Sequence, residues 1–318
     1  MGGIDLHAHL APSIDLGIDP SSHGLRGIGT AEDGRLTEDG TPLGPIPLYR
    51  PELLTAYLDR ADLDQAVVSI PPPFFRQDQS SDDAARWARA VNDGLLAAVA
   101  AHPRLLPLAY LPLEYPEVAV AVYRSQREDA RFVGVVGAAG GRSVSLADDR
   151  FGELWKLMDD DRKLLLLHPG VSPDDRLTPF YLQNLLGNPV ETAVATAELV
   201  FGDILARHPG LRVLLVHCGG CVPAVAGRWQ HGVATGRPGL RALSESPEQT
   251  LRRIYVDCLA HDPSLVDHAV SVFGEDRLVL GSDWPFPMGT DDPRALVSHR
   301  GDEFAERVAE HNARNLLG

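Results

Sequence analysis

Short apolar runs that stop at a polar residue recur along the chain, at 4–7, 66–71, 105–111, 132–137, 163–168, 212–217, 254–258 and 277–281. Each is too short for a stable helix and too uniformly apolar for a half-solvated strand, so each predicts a strand covered on both faces. Between them, apolar positions return at helical spacing over 51–62, 82–101, 116–129, 148–158, 190–207 and 263–273, with a closing helix near 302–317. Strands that alternate with helices in this way predict an α/β protein, a (β/α)8 barrel of the TIM type, in one domain spanning 1–318. The competing open, doubly wound sheet would place a glycine-rich turn after its first strand, and here that strand ends in HAH. One stretch, 12–49, is rich in Gly, Pro and Asp and too long for a plain connection, which predicts a loop insertion after the first strand that serves either as a lid or pocket wall or as a disordered surface loop.

Composition narrows the partners. Of 318 residues, 44% are hydrophobic and 23% charged, the balance of a globular chain with a large core. A formal charge of −15, with Lys and Arg scattered, opposes a phosphate backbone and excludes nucleic acid as the expected partner. No uncharged apolar run is long enough to span a bilayer, and the N-terminus lacks a basic region followed by an apolar one, so the expected location is cytoplasmic with no membrane partner. Three cysteines, Cys218, Cys221 and Cys258, are too few for a disulfide framework and fit a reducing compartment. Cys218-x-x-Cys221 has metal-motif spacing without a second pair, and reads as small residues in a tight loop.

The candidate chemistry sits where the apolar runs end. IDLHAHL, LLLLHPG, LLVHCGG and LVLGSDWPFP supply His7, His9, His168, His217 and Asp283. His7 and His9, two apart on an extended strand, project from one face and can bind one ion together. In a parallel barrel the carboxyl ends of the strands form a single face, so residues remote in sequence converge there.

These motifs resemble the amidohydrolase superfamily, in particular the branch of α-amino-β-carboxymuconate-ε-semialdehyde decarboxylase and related aromatic acid decarboxylases. The resemblance runs from IDLHAHL to the last helix and is densest in HPG, NPVETAVATAELVFGDILARHPGLRVLLVHCGG, AGRWQHG, LAHDP and GSDWPFPMG. It implies that His7, His9, His168 and Asp283 hold one divalent metal ion, most often zinc with manganese or iron as alternatives, and that His217 is the acid–base residue beside a bound water. The residue chemistry agrees: three imidazoles and a carboxylate suit zinc, and a further histidine can exchange a proton near neutral pH. His217 as a fifth ligand or a structural residue stays open beside that reading. The superfamily's two-metal members bridge their ions through a lysine near the barrel centre; the two lysines here, Lys156 in a helical stretch and Lys163 at the start of the fifth strand, point to a single-metal site.

An anionic substrate needs a cation. The resemblance implies a carboxylate-binding role for Arg228 in AGRW, reached across a homodimer boundary in the decarboxylase. Arg76, after Phe74 and Phe75, suits a planar acid, with rings for its faces and a guanidinium for its carboxylate, and Trp284 beside Asp283 is a further candidate wall. The family's other substrate arginine has no clear counterpart in GPIPLYRPE, where only Arg50 is near. His261 and Asp262 read either as support for the site or, for Asp262, as a helix cap before Pro263. The expected function is a metal-dependent non-oxidative decarboxylase of a small unsaturated or aromatic carboxylic acid, with Asp283 and His217 in the catalytic centre. The alternatives are hydrolysis of a small amide, ester or lactone at the same site, and a metal-dependent binding protein without turnover.

Overall fold

A computed structural model of the protein describes residues 2–15 and 25–318. Eight parallel strands, Gly3–His9, Leu63–Ser69, Leu105–Tyr110, Gly134–Ala139, Leu164–Pro169, Arg212–Leu215, Tyr255–Asp257 and Leu278–Val279, pair in chain order, each with the next. Parallel bridges from Asp5 to Leu280 and from Ala8 to Trp284 join the last strand to the first and close the barrel. Backbone bonds from Leu6 N to Leu280 O and from His9 N to Trp284 O, both 2.9 Å, hold that seam. All eight predicted strands are present, each near its predicted place.

The strands lie inside a ring of helices, which is why they are apolar throughout: every residue of Gly3–His9 and of Leu164–Pro169 is buried. Helix starts follow local chemistry. Pro51, Pro116 and Pro263 occupy first-turn positions where the missing N–H costs nothing, and the Ser80 and Asp262 side chains accept from backbone N–H groups of the first turn. Asp262 is thus the cap of Pro263–Phe273. Among the described residues, no helix is long and apolar enough to cross a membrane.

Three expectations need correction. The predicted helix over 190–207 is two, Asn188–Phe201 and Ile204–Arg207, separated where Asp203 takes a left-handed φ of 57°. Helices Val222–Ala234 and Pro247–Leu251, between the sixth and seventh strands, were not predicted; glycine and proline in AGRWQHG and VPAV weaken the helical signal there. The 12–49 stretch is not irregular throughout. Ile28–Thr30, Leu36–Glu38 and Thr41–Pro42 form an antiparallel sheet, followed by a short 3-10 helix, Ile46–Tyr49. Leu25, Ile28, Leu36, Leu43 and Leu48 bury their side chains, so this segment has a small core joined to the main one. Part of the stretch, 16–24, lies outside the described residues.

Candidate metal centre

The first strand delivers His7 and His9 with both rings fully buried, and each is aimed by a partner on its far nitrogen. Nδ1 of His7 lies 2.7 Å from Oδ2 of Asp257, and Nδ1 of His9 lies 3.1 Å from the Ser69 hydroxyl. Ser69 is the register partner of His9 on the second strand, so the sheet itself sets that contact. Both Nε2 atoms are thereby turned inward, 3.2 Å apart, and His9 Nε2 is 3.1 Å from Asp283 Oδ1.

His168, at the end of the fifth strand, and His217, just beyond the sixth, complete the group. Ring centroids of His7, His9 and His168 lie 5.0–5.2 Å apart, and His217 stands 5.2 Å from His7 and 5.3 Å from His168. One potential ligand atom from each of His7, His168, His217 and Asp283 lies within 4.8 Å of every other. All five sequence-predicted residues therefore converge on one point at the carboxyl face of the barrel.

The turns that present His217 and Asp283 are strained. His217, Cys218 and Asp283 have φ of 54°, 55° and 57°, a region non-glycine residues occupy at a cost. What holds the first turn is Asp257, whose Oδ1 accepts from Cys218 N (2.8 Å) and Leu259 N (3.0 Å) while Oδ2 accepts from His217 N at 3.0 Å. Asp283 N donates to the His7 carbonyl at 2.8 Å, tying the second turn to the first strand. Asp5 works beneath them: its carboxylate accepts from His7 N, Ser282 N and the Ser282 hydroxyl across the seam. Burial raises the Asp5 carboxyl to about 6, against those hydrogen bonds.

The electrostatics suit a cation. Burial and the neighbouring imidazoles push His168 well below its ordinary value, and burial lowers His9 despite its Asp283 contact, so both present neutral rings. Burial opposes ionisation of Asp283, but hydrogen bonds from His217 and His9 hold it well below the usual carboxylate range. Among the described residues His168 Nε2 is buried without a hydrogen-bond partner. An orphaned imidazole nitrogen beside an ionised carboxylate is costly unless a cation takes its lone pair, so the donor set fits a divalent ion.

The predicted substrate contacts divide. Phe75 stacks on Tyr110 and sets its ring 6.1 Å from that of His168, at the edge of the cluster. Phe74 is buried against Trp87 and Tyr49, away from it. Trp284 turns toward Tyr57 on Pro51–Arg60, and the ring that meets His9, at 5.5 Å, belongs to Phe286 two residues on. Arg76 gives Nε to Glu38 at 2.5 Å and Nη2 to the Arg26 carbonyl at 2.8 Å, and its guanidinium lies 5.0 Å from the Trp87 ring centre. Its charge is matched within the fold. Arg228 is exposed on Val222–Ala234. Lys156 pairs with Asp160, and Lys163 reaches the Phe132 carbonyl at the start of its strand, so neither enters the cluster. All three cysteines are free thiols.

The amidohydrolase family model matches residues 4–318. The chain belongs to the amidohydrolase family. Among curated relatives of this amidohydrolase is 2-amino-3-carboxymuconate-6-semialdehyde decarboxylase of Dictyostelium discoideum, 30% identical over 277 residues, which are 85% of this chain and 75% of the relative. The Caenorhabditis elegans protein of the same name is 29% identical over 90% of this chain and 86% of its own. Among solved structures, 5-carboxyvanillate decarboxylase LigW of Sphingomonas paucimobilis superposes with a TM-score of 0.79 at 21% identity, covering 99% of this chain and 98% of that one. The amidohydrolase barrel is thus shared along the whole length.

Proposed function

We propose that this amidohydrolase is a metal-dependent, non-oxidative decarboxylase of a small unsaturated or aromatic carboxylic acid. The observation that carries the site is the difference in exposure within the cluster: side chains of His7 and His9 are wholly buried and that of Asp283 is 9% exposed, whereas His217 is 20% exposed. His7, His9, His168 and Asp283 are accordingly the ligands of one divalent ion, and His217 is the group left facing substrate. Three imidazoles with one carboxylate favour zinc. What favours carbon dioxide loss over hydrolysis is the relationship, over most of the chain, to enzymes named as decarboxylases.

A bound divalent ion would supply Lewis-acid polarisation and a more acidic water. The chain's own residues do the rest. Phe75 and Phe286 flank the cluster and shield a planar acid from water. His217 delivers a proton to the carbon bearing the carboxylate, the bond from that carbon to the carboxylate breaks, and its electron pair returns to the unsaturated system as carbon dioxide leaves. His217 then recovers its proton from solvent at the pocket mouth.

We further propose a homodimer. Phe180 is 85% exposed and Tyr181 61%, and with Leu185, Leu186, Val190 and Val194 they leave an apolar face at the start of Asn188–Phe201. Trp229, next to Arg228, rests its ring 5.7 Å from Phe201 at the far end of that helix. Three free thiols favour a cytoplasmic location. The test of the reaction is a panel of aromatic and unsaturated acids, amides, esters and lactones given to zinc-loaded protein, with carbon dioxide and ring opening followed separately. Carbon dioxide from an acid, abolished in His217→Ala, is the expected result; turnover confined to amides, esters or lactones replaces the decarboxylase with a hydrolase.

A further inference from the structure

On the far side of Phe75 from the histidine cluster, the loops that follow the second, fourth and fifth strands form an open cleft of about 280 Å³, lined by Phe75, Arg76, Gln77, Asp78, Arg142 and Val171, with Glu38 reaching in from the small sheet. That volume suits a small ligand, and Phe75 connects it to the metal centre, since its ring lies 6.1 Å from that of His168. Four charged side chains line it. Arg76 and Glu38 cancel one another at 2.5 Å, and the Arg76 side chain is only 7% exposed. Asp78 and Arg142 remain, both exposed, and no ion pair joins them. Among the described residues Arg142 makes no hydrogen bond or ion pair at all.

An unpaired surface arginine is ordinary, but the backbone beneath this one is not. Arg142 follows Gly140 and Gly141, whose φ values of 63° and 64° lie in the left-handed region. The Gly141 N–H donates to the buried Glu191 carboxylate at 2.7 Å, and Gln77 Nε2 donates to the Ser143 hydroxyl at 2.9 Å and to the Gly140 carbonyl at 3.4 Å. The positive φ at residue 141 favours glycine, and a Cβ there would also crowd the Val171 carbonyl at 3.1 Å and the Gly170 Cα at 3.2 Å, so glycine lets the two loops lie against each other. The turn is clamped from both sides while the side chain it carries is free. A rigid backbone that presents an unpaired guanidinium to a cavity loses little entropy when the guanidinium meets its ligand.

We propose that Arg142 is the anion-gripping residue of the substrate pocket, selecting planar acids that carry a second carboxylate on the edge turned away from the histidine cluster. The proposal rests on the decarboxylase reading for the nature of the substrate, though not for the existence of the site. In it, Arg76 supports the pocket wall by fastening Glu38 and the small sheet, while Arg142 forks the distal carboxylate through paired N–H donors.

The test is calorimetric binding of benzene-1,3-dicarboxylate and of benzoate to zinc-loaded wild type, Arg142→Gln and Arg142→Lys, with zinc content measured for each. Arg142→Gln should weaken the dicarboxylate by about 10- to 100-fold, the loss expected for a charge-assisted pair, and leave benzoate within about twofold. Arg142→Lys should recover part of the loss, because it keeps the charge without the fork. The proposal is overturned if wild type holds the dicarboxylate no more tightly than benzoate, or if Arg142→Gln changes both ligands alike or neither. A selective loss in Arg142→Gln, in a protein that releases no carbon dioxide from any acid, would uphold the anion site and sink the decarboxylase reading.

Discussion

Asp257 accepts from Nδ1 of His7 at 2.7 Å, with both side chains wholly buried. Burial works to protonate Asp257, but the His7 hydrogen bond and the nearby imidazoles outweigh it and hold the carboxyl below its ordinary value. An ionised carboxylate only accepts, so Nδ1 of His7 carries the proton and Nε2 offers its lone pair to the cluster. The same carboxylate accepts the backbone N–H groups of His217, Cys218 and Leu259. One residue thus orients a proposed ligand on the first strand and fixes the turn that carries His217.

Asp257→Asn should therefore impair the metal site without touching a proposed ligand. Its single carbonyl oxygen cannot accept all four donors, and its amide N–H₂ would face other donors. A fall of about 10- to 100-fold in zinc affinity, read by competition with a chromophoric chelator, is the expected size for loss of a partner behind a ligand. Unchanged affinity would show that His7 needs no such orientation.

Ligand and proton carrier should separate in three variants. Purified wild type should hold about one zinc per chain, and His7→Ala and Asp283→Ala should lose it because each removes a proposed donor. His217→Ala should keep its zinc while turnover falls by about 10²- to 10⁴-fold. Elemental analysis of the three proteins decides the matter, and zinc loss in His217→Ala would make that residue a ligand.

Glu114, on the loop after the third strand, should make stability depend on pH. Its carboxylate oxygens are buried without a hydrogen-bond partner among the described residues, and burial raises its pKa from the ordinary 4.5 to about 7. Below 4.5 both folded and unfolded chains carry the proton; above it the unfolded chain gives the proton up first, so stability declines as pH rises and levels off past about 7. The decline attributable to this group is at most roughly 3 kcal/mol, at about 1.4 kcal/mol per tenfold change in proton affinity. Glu114→Gln should remove it, with urea melts at pH 4.5 and pH 8 giving a smaller difference than in wild type. An equal difference in both proteins would show that Glu114 is solvated in the folded state.

The apolar face around Leu186 should mediate self-association. Leu186 is 45% exposed, and Leu186→Glu places a charge within that face. Sedimentation equilibrium should give a dimer for wild type and a monomer for the variant at micromolar concentration. A monomeric wild type would confine Arg228 to its own chain.

The barrel and its histidines were legible because their signals are local. A strand buried on both faces must be apolar along its length, and His7 and His9, two apart, must share a face whatever surrounds them. The carboxyl ends of parallel strands must also meet on one side, which brought His168, His217 and Asp283 to the same place on paper and in the fold. Asp257 gave no such sign: it stands in a three-residue strand, and its partner His7 is 250 positions away. Ser69 matters only through its register with His9. Arg76 looked available for a substrate until Glu38, on a small sheet that read as an irregular loop, took its charge, whereas Arg142 drew no notice although the fold leaves it free beside the cavity. Residue types and their periodicity are determined by the chain itself, and they chose the architecture and the side chains proposed to bind metal. Which charges are spent on the fold, which remain for a ligand, and which carboxylate aims which imidazole depend on distances between segments remote in sequence, and only the packed barrel sets those.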